Sequence, residues 1–161
     1  MDRIIELEGA SAAELNREAE QRILRMTPDG LAGDTIKSIV RRRIEALAQA
    51  IRDKNVEQLM TFYDRDVEVF DRRFSLNVPG AGAYRNNFEA WFDSFEGSIG
   101  FELHNLRVVA TEAAAFCHYL GLVTGARPGG RTSGYWVRGT TCFERRDGEW
   151  LITHEHISSP V

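Results

Sequence analysis

Nowhere does this sequence hold the about 18 consecutive apolar residues that a membrane-spanning helix needs. Its N-terminus also lacks the apolar stretch of a signal peptide, so no membrane association and a cytoplasmic location are expected. Positive charge is in short supply. Twenty Lys and Arg against 24 Asp and Glu leave a net charge of −4, which argues against a nucleic-acid partner, because phosphate backbones are met by basic surfaces. The local run Arg41-Arg42-Arg43 changes little, since three consecutive residues on a helix point in three directions. There are only two cysteines, Cys117 and Cys142, in separate strand-like segments. They are expected to be two reduced thiols rather than a bridge. A CxxC pair, a glycine-rich phosphate loop and a GxSxG elbow are all missing. So are internal repeats. What is present is the 43% apolar and 27% charged content of an ordinary globular domain with one hydrophobic core.

Two segments come apart along the chain. "SAAELNREAEQRILRM" opens on Ser11 with Glu14 three residues later, a capping box. Ala12, Leu15, Ala19, Ile23 and Met26 then form an apolar stripe. "TPDGLAGD" breaks it, so residues 1–33 read as a helical arm and 34–161 as the body. An isolated amphipathic helix of that length is marginal in water, so the arm is expected to pack on the body or on a partner subunit.

The body begins with a helix capped by Asp34 and running to about Asp53, with Ile36, Ile39, Val40, Ile44, Leu47 and Ile51 on one face. "NVEQLMTFY" reads as a short helix and "DVEVFD" as a strand. In "AYRNNFEAWFDSFEG", Tyr84, Phe88, Trp91, Phe92 and Phe95 share one helical face, either as core or as the wall of a cavity. From residue 100 the period changes to two. Strands are predicted at "FELHNLRVVA", "AAAFCHYLGLVT", "YWVRGTTCFERR" and "EWLITHEHIS", separated by the turn chemistry of "TEA", "GARPGGRTSG" and "RDGE". The expected fold is α+β: a strongly curved antiparallel sheet covered by helices, which makes a cone.

This element order, with "VEQLMTFYDRDVEVFD" and "FERRDGEWLITHEHIS", resembles the nuclear transport factor 2-like superfamily, which has a cystatin-like cone. Within it the chain resembles the SnoaL-like and ketosteroid isomerase-like proteins over roughly residues 35–161. "RRDGEW" followed by H-x-H-x-S is also similar to the association domain of calcium/calmodulin-dependent protein kinase. The resemblance implies that alternate residues of the long strands face a pocket and the others an outer face, commonly a dimer interface. Carried over by position, it sends Leu151, Thr153, Glu155 and Ile157 inward and Trp150, Ile152, His154 and His156 outward. Tyr135, Val137, Gly139, Thr141 and Phe143 face in on the preceding strand, as do Cys117, Tyr119, Gly121 and Val123 on the one before. His118 joins His154 and His156 outside, with Phe116, Leu120 and Trp136. A face so apolar implies a homodimer. An interface role for these histidines is preferred to a metal site, and no metal or cofactor is expected.

The same resemblance places Asp71, at the end of the first strand, where ketosteroid isomerase keeps its catalytic base. That enzyme is one of the standard examples of a carboxylate base working with an oxyanion hole of tyrosine and protonated aspartic acid. The two hole positions read Leu47 and Thr141 here, so a strict steroid isomerase is not implied. Glu155 is the substitute acid, with Asp71 as base. The substrate wall would come from Tyr119, Tyr135, Thr141, Phe143, Trp91, Phe92, Leu47, Ile51, Thr153 and Ile157. Such a set suits isomerisation, dehydration or cyclisation of a small apolar carbonyl compound. The alternatives are a turn-capping role for Asp71, a salt bridge from Glu155 to Arg43 or Arg85, and a non-catalytic ligand-binding or oligomerisation module.

Overall fold

The computed structural model describes residues 32–72 and 76–160. The arm expected over residues 1–33 lies almost wholly outside them. The first described helix, α1 (Ala32–Arg52), already contains Asp34 within its first turn. Asp34 is therefore not the residue that precedes the helix. The apolar stripe from Ile36 to Ile51 is buried. A short helix α2 (Val56–Met60) follows, with the Gln58 N–H donating to the Asn55 side chain at 3.0 Å. Then come β1 (Tyr63–Asp71), β2 (Val78–Pro79), α3 (Gly80–Asp93), β3 (Glu96–Ala110), β4 (Ala114–Arg127), β5 (Arg131–Arg146) and β6 (Glu149–Ser158). Among the described residues no helix is long and apolar enough to cross a membrane.

The strands form one sheet in the order β2-β1-β6-β5-β4-β3. Three hairpins join β3 to β6 in antiparallel sequence, and β1 returns to lie parallel to β6. The two residues Asp147 and Gly148, both at positive φ (51° and 86°), make the tightest of these turns. Positive φ at both central positions is what a two-residue hairpin requires, and the "RDGE" signal predicts it. Helix α1 packs on β3 and α3 packs on β1. The concave side of the sheet and the aromatic face of α3 then enclose the core, where Tyr84, Phe88, Trp91, Phe92 and Phe95 are all buried.

The last strand departs from strict alternation. Thr141 pairs with Glu155 and Cys142 with His154, but Phe143 pairs with Ile152. Thr153 is the extra residue of a β-bulge, and inward parity changes sign across it. Glu155 is buried and Ile157 half-buried on the inner side, as an unbroken two-residue period expects. Trp150 and Ile152 are also buried, at 1% and 0% exposure, where that period puts them outside. Leu151 and Thr153, expected inside, are half-buried. The physical reason is burial. Returning an aliphatic or aromatic side chain to the core stabilises the fold by roughly 1.5–3 kcal/mol, and one bulge lets both halves of β6 bury their larger side chains.

Candidate functional site

The cone encloses a cavity lined by Leu47 and Ile51 from α1, Tyr63, Asp71 and Arg72 from β1 and its end, and Tyr84, Phe88 and Trp91 from α3. Phe101, Tyr119, Val123, Tyr135, Val137, Glu155 and Ile157 complete it from the sheet. The cleft contains about 450 Å³ of empty space with its mouth included. Among the described lining residues, the polar groups are Asp71, Arg72, Glu155, the Trp91 indole N–H and the tyrosine hydroxyls, and the remaining side chains are hydrocarbon.

At its closed end sits Glu155, only 2% exposed. Three hydroxyls converge on its carboxyl group. Tyr63 donates to Oε2 at 3.0 Å, Tyr84 to the same oxygen at 2.8 Å, and Thr141 to Oε1 at 3.0 Å. Burial pushes the Glu155 carboxyl above its ordinary pKa. The three hydrogen bonds pull it partly back, and the nearby Asp71 charge adds to the rise. Burial likewise raises Tyr63, Tyr84 and Tyr119 well above the usual phenol value, with the Glu155 charge next in importance. The phenols are therefore protonated donors at any physiological pH. Glu155 finds no guanidinium partner of the kind expected: Arg43 lies over the Phe62 ring at 5.4 Å, and Arg85 pairs with Glu57 and Glu89. A carboxyl in an apolar pocket must be paired, protonated or hydrogen-bonded, and here the hydroxyls take that part.

Asp71 is buried on the same face, one diagonal step from Glu155. In the parallel pairing of β1 with β6, Val69 is opposite Glu155 and Asp71 is opposite Ile157. The two carboxyl groups thus line one small space, Glu155 deep and Asp71 at the end of its strand.

Of the residues expected at the site, Asp71, Glu155, Tyr119, Tyr135, Trp91, Leu47, Ile51 and Ile157 line the cavity. Thr141 acts from behind, through its bond to Glu155. Phe92 and Phe143 are buried in the core beside the cavity rather than on its wall. The bulge turns Thr153 away, and its hydroxyl donates to Glu144 Oε1 at 3.4 Å instead. Sequence reasoning missed Tyr63, Arg72 and Phe101 as lining residues, and left Tyr84 and Phe88 between core and cavity wall. The alternation that runs from Asp71 back to Val67 breaks at the irregularity between Tyr63 and Glu68, where Arg65 is exposed, so periodicity does not carry to Tyr63. Tyr84 sits in the aromatic stripe, and a buried phenol needs a partner for its hydroxyl.

On the outer face, the His154 Nδ1–H donates to the Glu68 carbonyl at 2.9 Å. Phe70 meets the rings of His154 and His156 edge-on. His104 lies beside Glu102 and against Trp136. Phe70, Val109, Phe116, Leu120 and Trp136 remain exposed on this side. Both cysteines are free. Cys117 is buried, which pushes its thiol up to about 12, and Cys142 is half-buried.

Compared with known families, residues 40–161 match the SnoaL-like domain model. The chain belongs to the SnoaL-like domain family. Among solved structures, the SnoaL-like domain is similar to a nuclear transport factor 2-like protein of unknown function from Pseudomonas putida KT2440. That pair shares 29% identity and a TM-score of 0.72, over 79% of this chain and 88% of the other. A protein of the same superfamily from Streptomyces avermitilis, provisionally named a dehydratase, matches at 19% identity and TM-score 0.71, over 80% of this chain and 99% of the other. The association domain of calcium/calmodulin-dependent protein kinase II from C. elegans matches at 19% identity and TM-score 0.66, over 80% and 99%. At such identities the last two likenesses are of fold. No curated protein matches the chain by sequence.

Proposed function

We propose that this SnoaL-like domain is a cofactor-independent enzyme moving protons on a small, mostly apolar carbonyl compound, by isomerisation, dehydration or cyclisation. The observation that carries the reading is the buried Glu155 carboxyl under three hydroxyl donors, on one face with Asp71. Asp71 takes the proton from the carbon next to the carbonyl. Glu155, which holds its own proton to higher pH than a free carboxyl does, gives it to the enolate oxygen or to a departing hydroxyl. Tyr63, Tyr84 and Thr141 then stabilise the carboxylate left behind, since they already point at it. In a dehydration the C–H electron pair becomes the new double bond, the C–O bond breaks, and the oxygen leaves as water with the Glu155 proton. Solvent exchange resets both acids.

A panel of enones and β-hydroxy carbonyl compounds, followed by the absorbance of the conjugated product, tests this. Asp71→Asn and Glu155→Gln are each expected to lower kcat/KM by roughly 10²–10⁴. Unchanged turnover in both variants removes the proposal and leaves the non-catalytic alternative, a ligand-binding or oligomerisation module.

The exposed outer face supports a homodimer as the working form. Phe116, Leu120 and Trp136 are 42%, 37% and 41% exposed on one sheet face, and exposed apolar surface of that kind marks an interaction site. Sedimentation of Trp136→Glu should read a monomer where the native chain reads a dimer. A native chain that sediments as a monomer discards this part.

A further inference from the structure

Among the described residues lining the cavity, Arg72 is the one cationic side chain. Its position is fixed twice. Its backbone N–H donates to the Ile157 carbonyl at 3.1 Å, and its guanidinium lies 4.6 Å from the centre of the Tyr135 ring. Tyr135 is held in turn, since the Trp91 indole N–H donates to its hydroxyl at 3.0 Å. Stacking uses the face of a guanidinium and leaves its edge of N–H donors available. No described residue takes a hydrogen bond or ion pair from that edge.

Other arginines of the domain differ in this respect. Arg127 stacks in the same way on Phe95 at 3.8 Å, but its donors go to Ser94 and Ser133. Arg85 is paired with Glu57 and Glu89. Arg52 bonds Phe101 O and Gln49. Among the described residues, Arg72 combines a fixed platform, an exposed position and a place on the cavity wall with donors that no described residue occupies.

We infer that Arg72 is an anion clamp at the cavity mouth, and that the compound taken up carries a carboxylate. Its two oxygens would meet the guanidinium edge in bidentate fashion, while its apolar part lies among Phe88, Phe101, Val123 and Val137. One guanidinium matches the single charge of a carboxylate. The clamp also offsets the repulsion that Asp71 would exert on an entering anion. Because Asp71 and Arg72 are consecutive, the anchored end and the carbon losing a proton belong to the same end of the molecule. The inference rests on reading this cavity as the ligand site, and it adds the charge of the ligand to that reading.

The test is equilibrium binding, by calorimetry, of two probes alike in shape: 3-phenylpropionate and its neutral amide, 3-phenylpropionamide. The native protein is expected to bind the carboxylate about tenfold more tightly than the amide, with the preference falling as salt is added. Arg72→Met should bring the two affinities together, and Arg72→Lys should restore part of the preference, as a point charge without the fork does. Equal affinities in the native protein overturn the inference. So does a carboxylate preference that survives in Arg72→Met, or binding of both probes weaker than about 10 mM. Turnover of the Asp71 and Glu155 variants reads the chemistry, whereas this titration reads only charge selection, so either can fail while the other stands.

Discussion

Replacing Glu155 by Gln removes an ionisable group from the closed end of the cavity while keeping its shape. The amide can be accommodated: its oxygen accepts from Tyr63 and Tyr84, and its NH2 group faces Thr141 Oγ1, whose lone pairs are available. In the native chain the carboxyl is 2% exposed and its pKa is raised, chiefly by burial. In the unfolded chain a glutamic acid titrates near about 4.3. The folded protein therefore holds this proton to higher pH than the unfolded chain does. The stability so contributed is complete below the unfolded value and is lost as pH rises through the folded one. Between the two values the slope reaches about 1.4 kcal/mol per pH unit for one group. Because every other titrating group is shared, the difference in unfolding free energy between native protein and variant isolates Glu155. Urea unfolding of both proteins at fixed protein concentration, from pH 4 to 8, should show that difference moving steadily in the variant's favour and then levelling off. A flat difference across the range would refute the claim that burial dominates the Glu155 environment. A difference moving in the native protein's favour would mean that the three hydroxyl bonds outweigh desolvation.

Three further outcomes follow from the same geometry. Thr141→Val removes one donor to Glu155 and should cost about 1 kcal/mol, while moving the levelling-off just described to higher pH; chemical denaturation across pH reads both. Ile152→Ala should destabilise by about 2–5 kcal/mol because Ile152 is fully buried behind the bulge, whereas Leu151→Ala should cost markedly less; the opposite order in thermal melts would restore the unbulged register. Gly139→Ala would drive a methyl group into the Tyr119 ring, and a loss of about 1–3 kcal/mol in urea unfolding is expected. An unchanged midpoint would show that the ring moves aside freely.

Local pattern alone is enough to read most of the architecture in this sequence. The 3.6-residue stripe from Ile36 to Ile51, the aromatic face of α3, the two-residue alternation after residue 100 and the Asp147-Gly148 turn each depend on neighbours close in the chain. The inward direction of Glu155 and Ile157 was also legible, through the resemblance. Tertiary structure decided the rest. Tyr63, Tyr84 and Thr141 lie 92, 71 and 14 residues from Glu155 in the chain, so nothing in their local sequence announces a common partner. The bulge at Thr153 was equally hidden, because alternation is a rule about unbroken strands and the insertion is selected by what both halves of β6 must bury. Periodicity determines which residues of an element share a face; only the packing of distant elements decides what that face meets, and the polar centre of this cavity is made by such a meeting.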